Sequence, residues 1–232
     1  MSDKHVVQIA GLTKEYGEGS GRVQALRGID LELHEGDFIT LAGPSGSGKS
    51  TLLNMIGALD RPTSGKVLFE DRDLAEMSMA KLSRLRRERI GFIFQAYNLI
   101  PVLTAYENAE YVLMLQGLKP EERLKRIRDL FAEVGMEGLE DRFPRELSGG
   151  QQQRVAIVRA IAPMPALVLA DEPTANVDSK TGGALMDLMS ALNRDHGVTF
   201  LFSTHDPMVM ERAHRKLILR DGRIEGDTRM GE

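Results

Sequence analysis

The sequence predicts an α/β fold in which a parallel sheet, covered on both faces, carries an antiparallel β-subdomain and a helical subdomain. Three observations predict it. A strand at residues 37–42 runs directly into a glycine-rich turn and then into the helical pattern of residues 50–56. Wholly apolar runs such as residues 166–170 alternate with helical patterns, as strands buried on both faces do. Residues 104–142 are helical in pattern throughout, broken only at 117–120, with no strand among them.

The elements can be read off in order. Residues 6–33 alternate β-rich runs with glycine turns and read as antiparallel strands. Residues 65–70 form another short strand, and residues 74–88 a charged helix leading into a strand at 90–94. A helix from Gln151, the strand 166–170, a helix through 183–193, a strand at 198–203 and a hairpin turned by Asp221-Gly222 complete the chain. Residues 1–232 are expected to form one domain, with the helical subdomain inserted at approximately 96–160.

Composition narrows the function classes. At 232 residues, 42% hydrophobic and 28% charged, the chain is neither disordered nor collagen-like and can bury a full core. It contains no cysteine, which removes disulfides and thiolate metal sites and favours a reducing, cytoplasmic setting. The start lacks an apolar signal region and no stretch is long enough to span a bilayer, so any membrane role is expected to be indirect. A net charge of -4 argues against nucleic acid as a partner.

The chemistry begins at Gly43-Pro44-Ser45-Gly46-Ser47-Gly48-Lys49-Ser50, which matches the P-loop pattern between a strand and a helix. Glycines let successive N–H groups face one anion, and the helix start adds its positive end. Lys49 supplies a cation for the β- and γ-phosphates, Ser50 a hydroxyl for Mg²⁺, and Thr51 a contact to the α-phosphate. The loop alone says only that the ligand is a nucleotide.

Charge also appears abruptly where the apolar run 166–170 ends, at Asp171 and Glu172. A lone Asp-Glu pair is more often a solvated strand exit. Ligands of open parallel sheets, however, bind at the carboxyl edge of the strands, where the P-loop also lies. Asp171 is therefore expected to hold Mg²⁺ and Glu172 to activate the attacking water. A second anion-binding helix start follows from Ser148-Gly149-Gly150-Gln151, although a bare Ser-Gly-Gly is usually a simple cap.

The strings LSGGQ followed by QQR, GPSGSGKST and LVLADEP together resemble the ATP-binding-cassette ATPases over essentially the whole chain. The resemblance implies a P-loop NTPase core of the cassette fold and ATP hydrolysis with Mg²⁺. It further implies two copies closed over two nucleotides and integral membrane permease subunits as partners. It places the protein peripherally on the cytoplasmic face of the membrane. Residue by residue, it implies that Tyr16 stacks on adenine, against the alternative of a packed turn tyrosine. Gln95 would sense Mg²⁺ and water, His205 would contact the γ-phosphate, and Asp178 would serve communication between the sites. Lys49, Gln95, Glu172 and His205 would be catalytic; Ser50, Gln95 and Asp171 would hold the metal. Ser148, Gly149, Gly150 and Gln151 would close on the other subunit's ATP.

Finer strings, at residues 57–65, 92–101 and 203–206, resemble the lipoprotein-releasing and macrolide-exporting cassettes. The loop 175–178 departs slightly from that group, and residues 142–146 fit a stand-alone subunit better than a fused exporter. Residues 96–101 are expected to dock a partner's cytoplasmic helix, unless they only pack between lobes. The basic residues of 81–89 read better as a solvated helix face than as a lipid contact. Two rival functions remain at this point: a force-transmitting cassette of cell division, and a DNA-repair or chromosome-type ATPase. The second needs a long heptad-repeat insertion, which residues 51–147 lack.

Overall fold

The structure, a computed structural model, describes residues 4–229. The core is a six-stranded sheet in the order β10 (Arg223–Arg229), β9 (Arg215–Arg220), β3 (Phe38–Ala42), β8 (Thr199–Thr204), β7 (Leu167–Asp171) and β6 (Ile90–Ile93). Every neighbouring pair is parallel except β10 against β9. Beside it lies a four-stranded antiparallel sheet of β2 (Val23–His34), β1 (His5–Tyr16), β4 (Ser64–Phe69) and β5 (Arg72–Asp73).

Strand periodicity sorts the core residues to two faces. Ile39, Leu41, Leu167, Leu169, Leu201 and Leu217 join the cluster shared with β1, β2 and α1 (Lys49–Ile56). Phe38, Val168, Ala170, Phe200 and Phe202 point the other way, onto α6 (Ser179–His196). Phe38 meets Phe202 edge-on at 4.7 Å, and Phe200 stacks parallel to Phe202 at 5.4 Å. Burying one such side chain stabilises the fold by roughly 2–3 kcal/mol, so a two-sided core accounts for the uniformly apolar reading of β3, β7 and β8.

Between β6 and β7 the chain makes three α-helices, α3 (Ala105–Leu115), α4 (Pro120–Glu133) and α5 (Gly149–Ile161), with a 3-10 turn at Pro144–Glu146 before the last. They share their own apolar cluster, in which Ala109, Leu113, Ile127, Phe131, Val155 and Val158 are buried. Thr104 opens α3 with a capping box to Glu107, and Pro120 sits in the first turn of α4, where its missing N–H costs nothing.

Several boundaries differ from the expected ones for local reasons. The helix expected over 74–88 is split: residues Leu74–Glu76 make one 3-10 turn, and Ser78 then caps α2 (Met79–Arg89). The strand expected over 90–94 stops at Ile93. The helix expected over 183–193 runs longer, from the Asp178 cap to Gly197, whose φ of 66° ends it. β5 and α7 (Pro207–Arg212) are too short for periodicity to reveal. The Asp221-Gly222 hairpin forms as expected, between β9 and β10.

Arg215 fastens the two sheets together. Its guanidinium is nearly buried and meets Asp227 at 2.8 and 2.7 Å, Asp37 at 3.4 Å and the Glu32 carbonyl at 2.7 Å. Arg215→Leu leaves buried Asp37 without its cation and is expected to lower the unfolding free energy by about 3 kcal/mol, read from urea denaturation; an unchanged midpoint would contradict this. The hydrogen bonds from Arg215 hold the Asp227 carboxyl below its ordinary value of 3.8. That stabilisation is complete above the ordinary value and is lost as pH falls through the lowered one. Asp227→Asn should therefore flatten the acid limb of the stability curve.

Candidate nucleotide site

β3 delivers the chain into loop 43–48 and α1 follows at once. Lys49 folds back over the loop, its Nζ donating to the carbonyls of Gly43 at 2.7 Å and Pro44 at 3.1 Å. The C-terminal hairpin closes the loop from behind, with the Gly222 N–H donating to the Ser47 carbonyl at 3.0 Å. A side chain at Gly43 would meet the Leu219 carbonyl at 2.0 Å, so only glycine fits there. The Ser47 hydroxyl is buried behind the loop without a hydrogen-bond partner, an unmet group that costs about 1–3 kcal/mol.

The loop opens on a cavity of about 700 Å³, in the range of small-ligand sites. Ser45, Gly46, Gly48, Lys49, Ser50 and Thr51 line it, together with Gln95, Asp171, Glu172 and His205. Gly43, Pro44 and Ser47 shape the loop without forming the wall. Asp171 ends β7 in register with Ser203 of β8, and the Ser50 hydroxyl donates to its carboxylate at 3.0 and 3.4 Å. Ser50, Asp171 and Gln95 thus bring hard oxygen donors to one wall, a set suited to Mg²⁺.

Glu172 stands just beyond β7 with a left-handed φ of 48°. Its N–H donates to the Ser203 carbonyl at 2.9 Å, and its carboxylate lies 2.7 Å from His205 Nδ1. The Glu172 side chain is 17% exposed and that of His205 75% exposed. A carboxylate so held, half-sheltered at the cavity wall, can accept a proton from a water in front of it. Tyr16 is beside the cavity, not in its wall. Its hydroxyl neighbours Thr51 and donates to Asp60 at 2.9 Å, and burial followed by the Asp60 bond raises its pKa.

Other expected site residues stand apart from the cavity. Ser148 caps α5 through a reciprocal pair: its hydroxyl accepts the Gln151 N–H at 3.3 Å, and the Gln151 side chain accepts the Ser148 N–H at 2.8 Å. Gly149 and Gly150 admit close neighbours, since a Cβ at the first would lie 2.7 Å from the Tyr97 hydroxyl and at the second 2.5 Å from the Thr181 methyl. Asp178 caps α6, accepting from Lys180 N at 3.1 Å, Thr181 N at 3.0 Å and the Thr181 hydroxyl at 2.6 Å. The Thr181 hydroxyl is the main cause of its lowered pKa.

The cavity also has walls that sequence reasoning missed. Val23, Gln24, Ala25 and Arg27 of β2 line it, as do Asp221 and Gly222. The Asp-Gly turn was legible as a turn, but nothing local in the sequence says that it lies against loop 43–48.

Residues 96–101 are less exposed than expected. Leu99 packs on the helical cluster, and buried Asn108 bonds the Ile100 N–H and carbonyl. Asn98 instead borders a groove of about 550 Å³ lined by Leu59, Phe92, Phe94, Tyr111, Leu115 and the cations Arg86, Arg87 and Arg159. Most cations of 81–89 have partners within the chain: Arg84 and Arg87 with Glu88, Arg89 with Glu70, and Arg86 with the Ala58 carbonyl. Among the described residues no helix is long and apolar enough to cross a membrane.

Residues 26–175 match the family described as ABC transporter. An uncharacterized ABC transporter ATP-binding protein of Thermotoga maritima is 45% identical over 98% of this chain and 97% of its own. The macrolide export ATP-binding/permease protein MacB of Marinobacter nauticus is 42% identical over 98% of this chain but only 35% of its own length. Among solved structures, the dimeric post-hydrolysis state of the ATP-binding cassette MJ0796 bound to ADP and Pi superposes with a TM-score of 0.89 at 42% identity, covering 97% of this chain and 99% of that one. This chain belongs to the ABC transporter family as one of its ATP-binding proteins, and it is an ATPase.

Proposed function

We propose that two copies of this chain close head to tail over two Mg-ATP and that closure and reopening drive integral membrane permease subunits of the lipoprotein-release or macrolide- and peptide-export type. One observation carries the reading. The cavity holds a phosphate cradle, a carboxylate pair and His205, whereas the Ser148 helix start, a second positive helix end, lies outside it. A second copy supplies what each cavity lacks. The reading is supported by the dimeric MJ0796 cassette and by MacB, whose name joins ATP-binding and permease parts.

In this mechanism loop 43–48 and Lys49 hold the β- and γ-phosphates. Lys49 exchanges its bonds to the Gly43 and Pro44 carbonyls for phosphate oxygens. Tyr16 lies beside the base, next to Thr51. Ser50, Asp171 and Gln95 hold Mg²⁺, which when bound neutralises charge developing between the β- and γ-phosphates. Glu172 orients the attacking water and accepts its proton, while His205 fixes the carboxylate and donates toward the γ-phosphate. Ser148, Gly149, Gly150 and Gln151 of the second copy cover the same phosphate, and Asp178 lies at the seam between copies. The single-domain chain, with residues 96–160 as its helical subdomain, works at the cytoplasmic face of the membrane without entering it. The permease's cytoplasmic helix occupies the groove at Phe92, Phe94 and Tyr111.

Glu172→Gln keeps size and polarity but removes the base. It is expected to lower ATP turnover about 100-fold or more while ATP still shifts the protein to a dimer on size-exclusion chromatography; near-normal hydrolysis would reject the role of Glu172. Lys49→Ala acts one step earlier, at binding. It should abolish the rise in melting temperature that ATP confers on the wild type, and an undiminished rise would contradict the cradle.

A further inference from the structure

At the end of the antiparallel sheet remote from the cavity, His5 of β1 pairs in register with His34 of β2, and Glu32 lies two residues back on the same strand. Period-two alternation puts all three side chains on one face of the pair. One ligand atom from each lies within 4.8 Å of the others. The His rings are 4.6 Å apart at a tilt of 42°, which is not a stacked pair.

His5 Nδ1 is buried and has no hydrogen-bond partner, although the Glu32 carboxylate stands 3.8 Å away. A simple imidazole–carboxylate bond would close to roughly 2.8 Å. The observed separation is nearer the roughly 3.4 Å between two ligand atoms on a tetrahedral zinc with bonds of about 2.05 Å. The backbone behind these ligands is fixed. Arg215 donates to the Glu32 carbonyl at 2.7 Å, and Asp37 accepts the His34 N–H at 2.9 Å, the kind of outer support that holds ligands in place.

We propose that His5, Glu32 and His34 form a site for a divalent transition ion of the zinc class, closed by small side-chain rotations and completed by water. Two imidazoles and one carboxylate are the donor set that such ions prefer over Mg²⁺ or Ca²⁺. The ion clips the start of β1 to the end of β2. The opposite ends of these 12-residue strands, Tyr16 and Val23, flank the nucleotide cavity, roughly 36 Å away. The site is therefore structural and independent of nucleotide chemistry.

The test is isothermal titration of the chelator-treated full chain with Zn²⁺ in the absence of nucleotide. The wild type is expected to take up one equivalent at micromolar Zn²⁺, the double variant His5→Gln, His34→Gln to lose it, and His196→Gln, at a surface pair with Glu133, to keep it. Circular dichroism establishes that the variants are folded. A second measurement needs no variant: in proton–nitrogen spectra of histidine side chains, Zn²⁺ should move the two rings of His5 and His34. Failure of the wild type to bind, retention of the equivalent by the double variant, or movement confined to His205 beside Glu172 would each overturn the proposal.

Discussion

Backbone packed directly on backbone is the constraint on which the site depends. The cradle is sandwiched between β2 and the turn of the C-terminal hairpin, with no side chain to space them. At Gly43 a Cβ would lie 2.0 Å from the Leu219 carbonyl, and at Gly222 a Cβ would lie 2.6 Å from the Ala25 carbonyl. Hydrogen bonds lock the same seam: Gly222 N–H to the Ser47 carbonyl at 3.0 Å, and Arg27 N–H to the Gly222 carbonyl at 2.8 Å. The glycines of the loop serve phosphate, but they also let three distant segments meet at one point. Arg215 holds the other end of β9 against β2 and completes this attachment.

The carboxylate edge is built by the opposite logic, on register. β7 and β8 are paired so that Asp171 faces Ser203, and the next residue must turn out of the sheet. Glu172 does so in the left-handed region, which costs a non-glycine residue about 1 kcal/mol or more. The bond from its N–H to the Ser203 carbonyl holds the turn, and His205 meets the carboxylate as the chain leaves β8. Ser50 then ties Asp171 to α1, so the two strand ends and the cradle form one wall.

Much of this was legible in the chain because it is local. An apolar run bounded by Asp171-Glu172, a strand–glycine–helix junction and the helix start at Ser148 are each written within a few consecutive residues. Most expected residues of the cradle line one cavity with Asp171 and Glu172, because the carboxyl edge of a parallel sheet gathers strand ends. What could not be read is the meeting of segments that the carboxyl edge of the parallel sheet does not itself gather. Nothing near Asp221 announces its place beside Ser47, and nothing near Arg27 announces a cavity wall. The split at Ser78 shows a related blindness: Leu74, Ala75, Met77, Met79 and Ala80 all suit a helix, so the pattern hid a cap that the Ser78 hydroxyl supplies at 3.4 Å.

The segment after Gln95 shows how cavity and groove are mechanically joined. Gln95 lines the cavity and Asn98 lines the groove, with only Ala96 and Tyr97 between them. Tyr97 and Asn98 both hold positive φ, at 59° and 49°, so this turn persists only because its surroundings hold it. Arg159 of α5 supplies the hold, donating to the Asn98 carbonyl at 2.6 Å and the Tyr97 carbonyl at 2.8 Å, and burial pulls its guanidinium below its ordinary pKa. The Tyr97 hydroxyl donates to the Asn176 carbonyl at 3.0 Å, and the Asn176 amide returns a bond to the Gln95 carbonyl at 2.9 Å. A shift at Asn98 must therefore break these bonds or carry with it α5, whose first turn bears Gly149 and Gly150, and the loop leading to Asp178. Both bonds from the part-buried guanidinium are charge-assisted, and α5 itself is packed into the core by Val155, Ile157, Val158 and Ile161. The turn is thus tied at once to α5 and to the loop before α6, so that no change at Asn98 is confined to the turn alone.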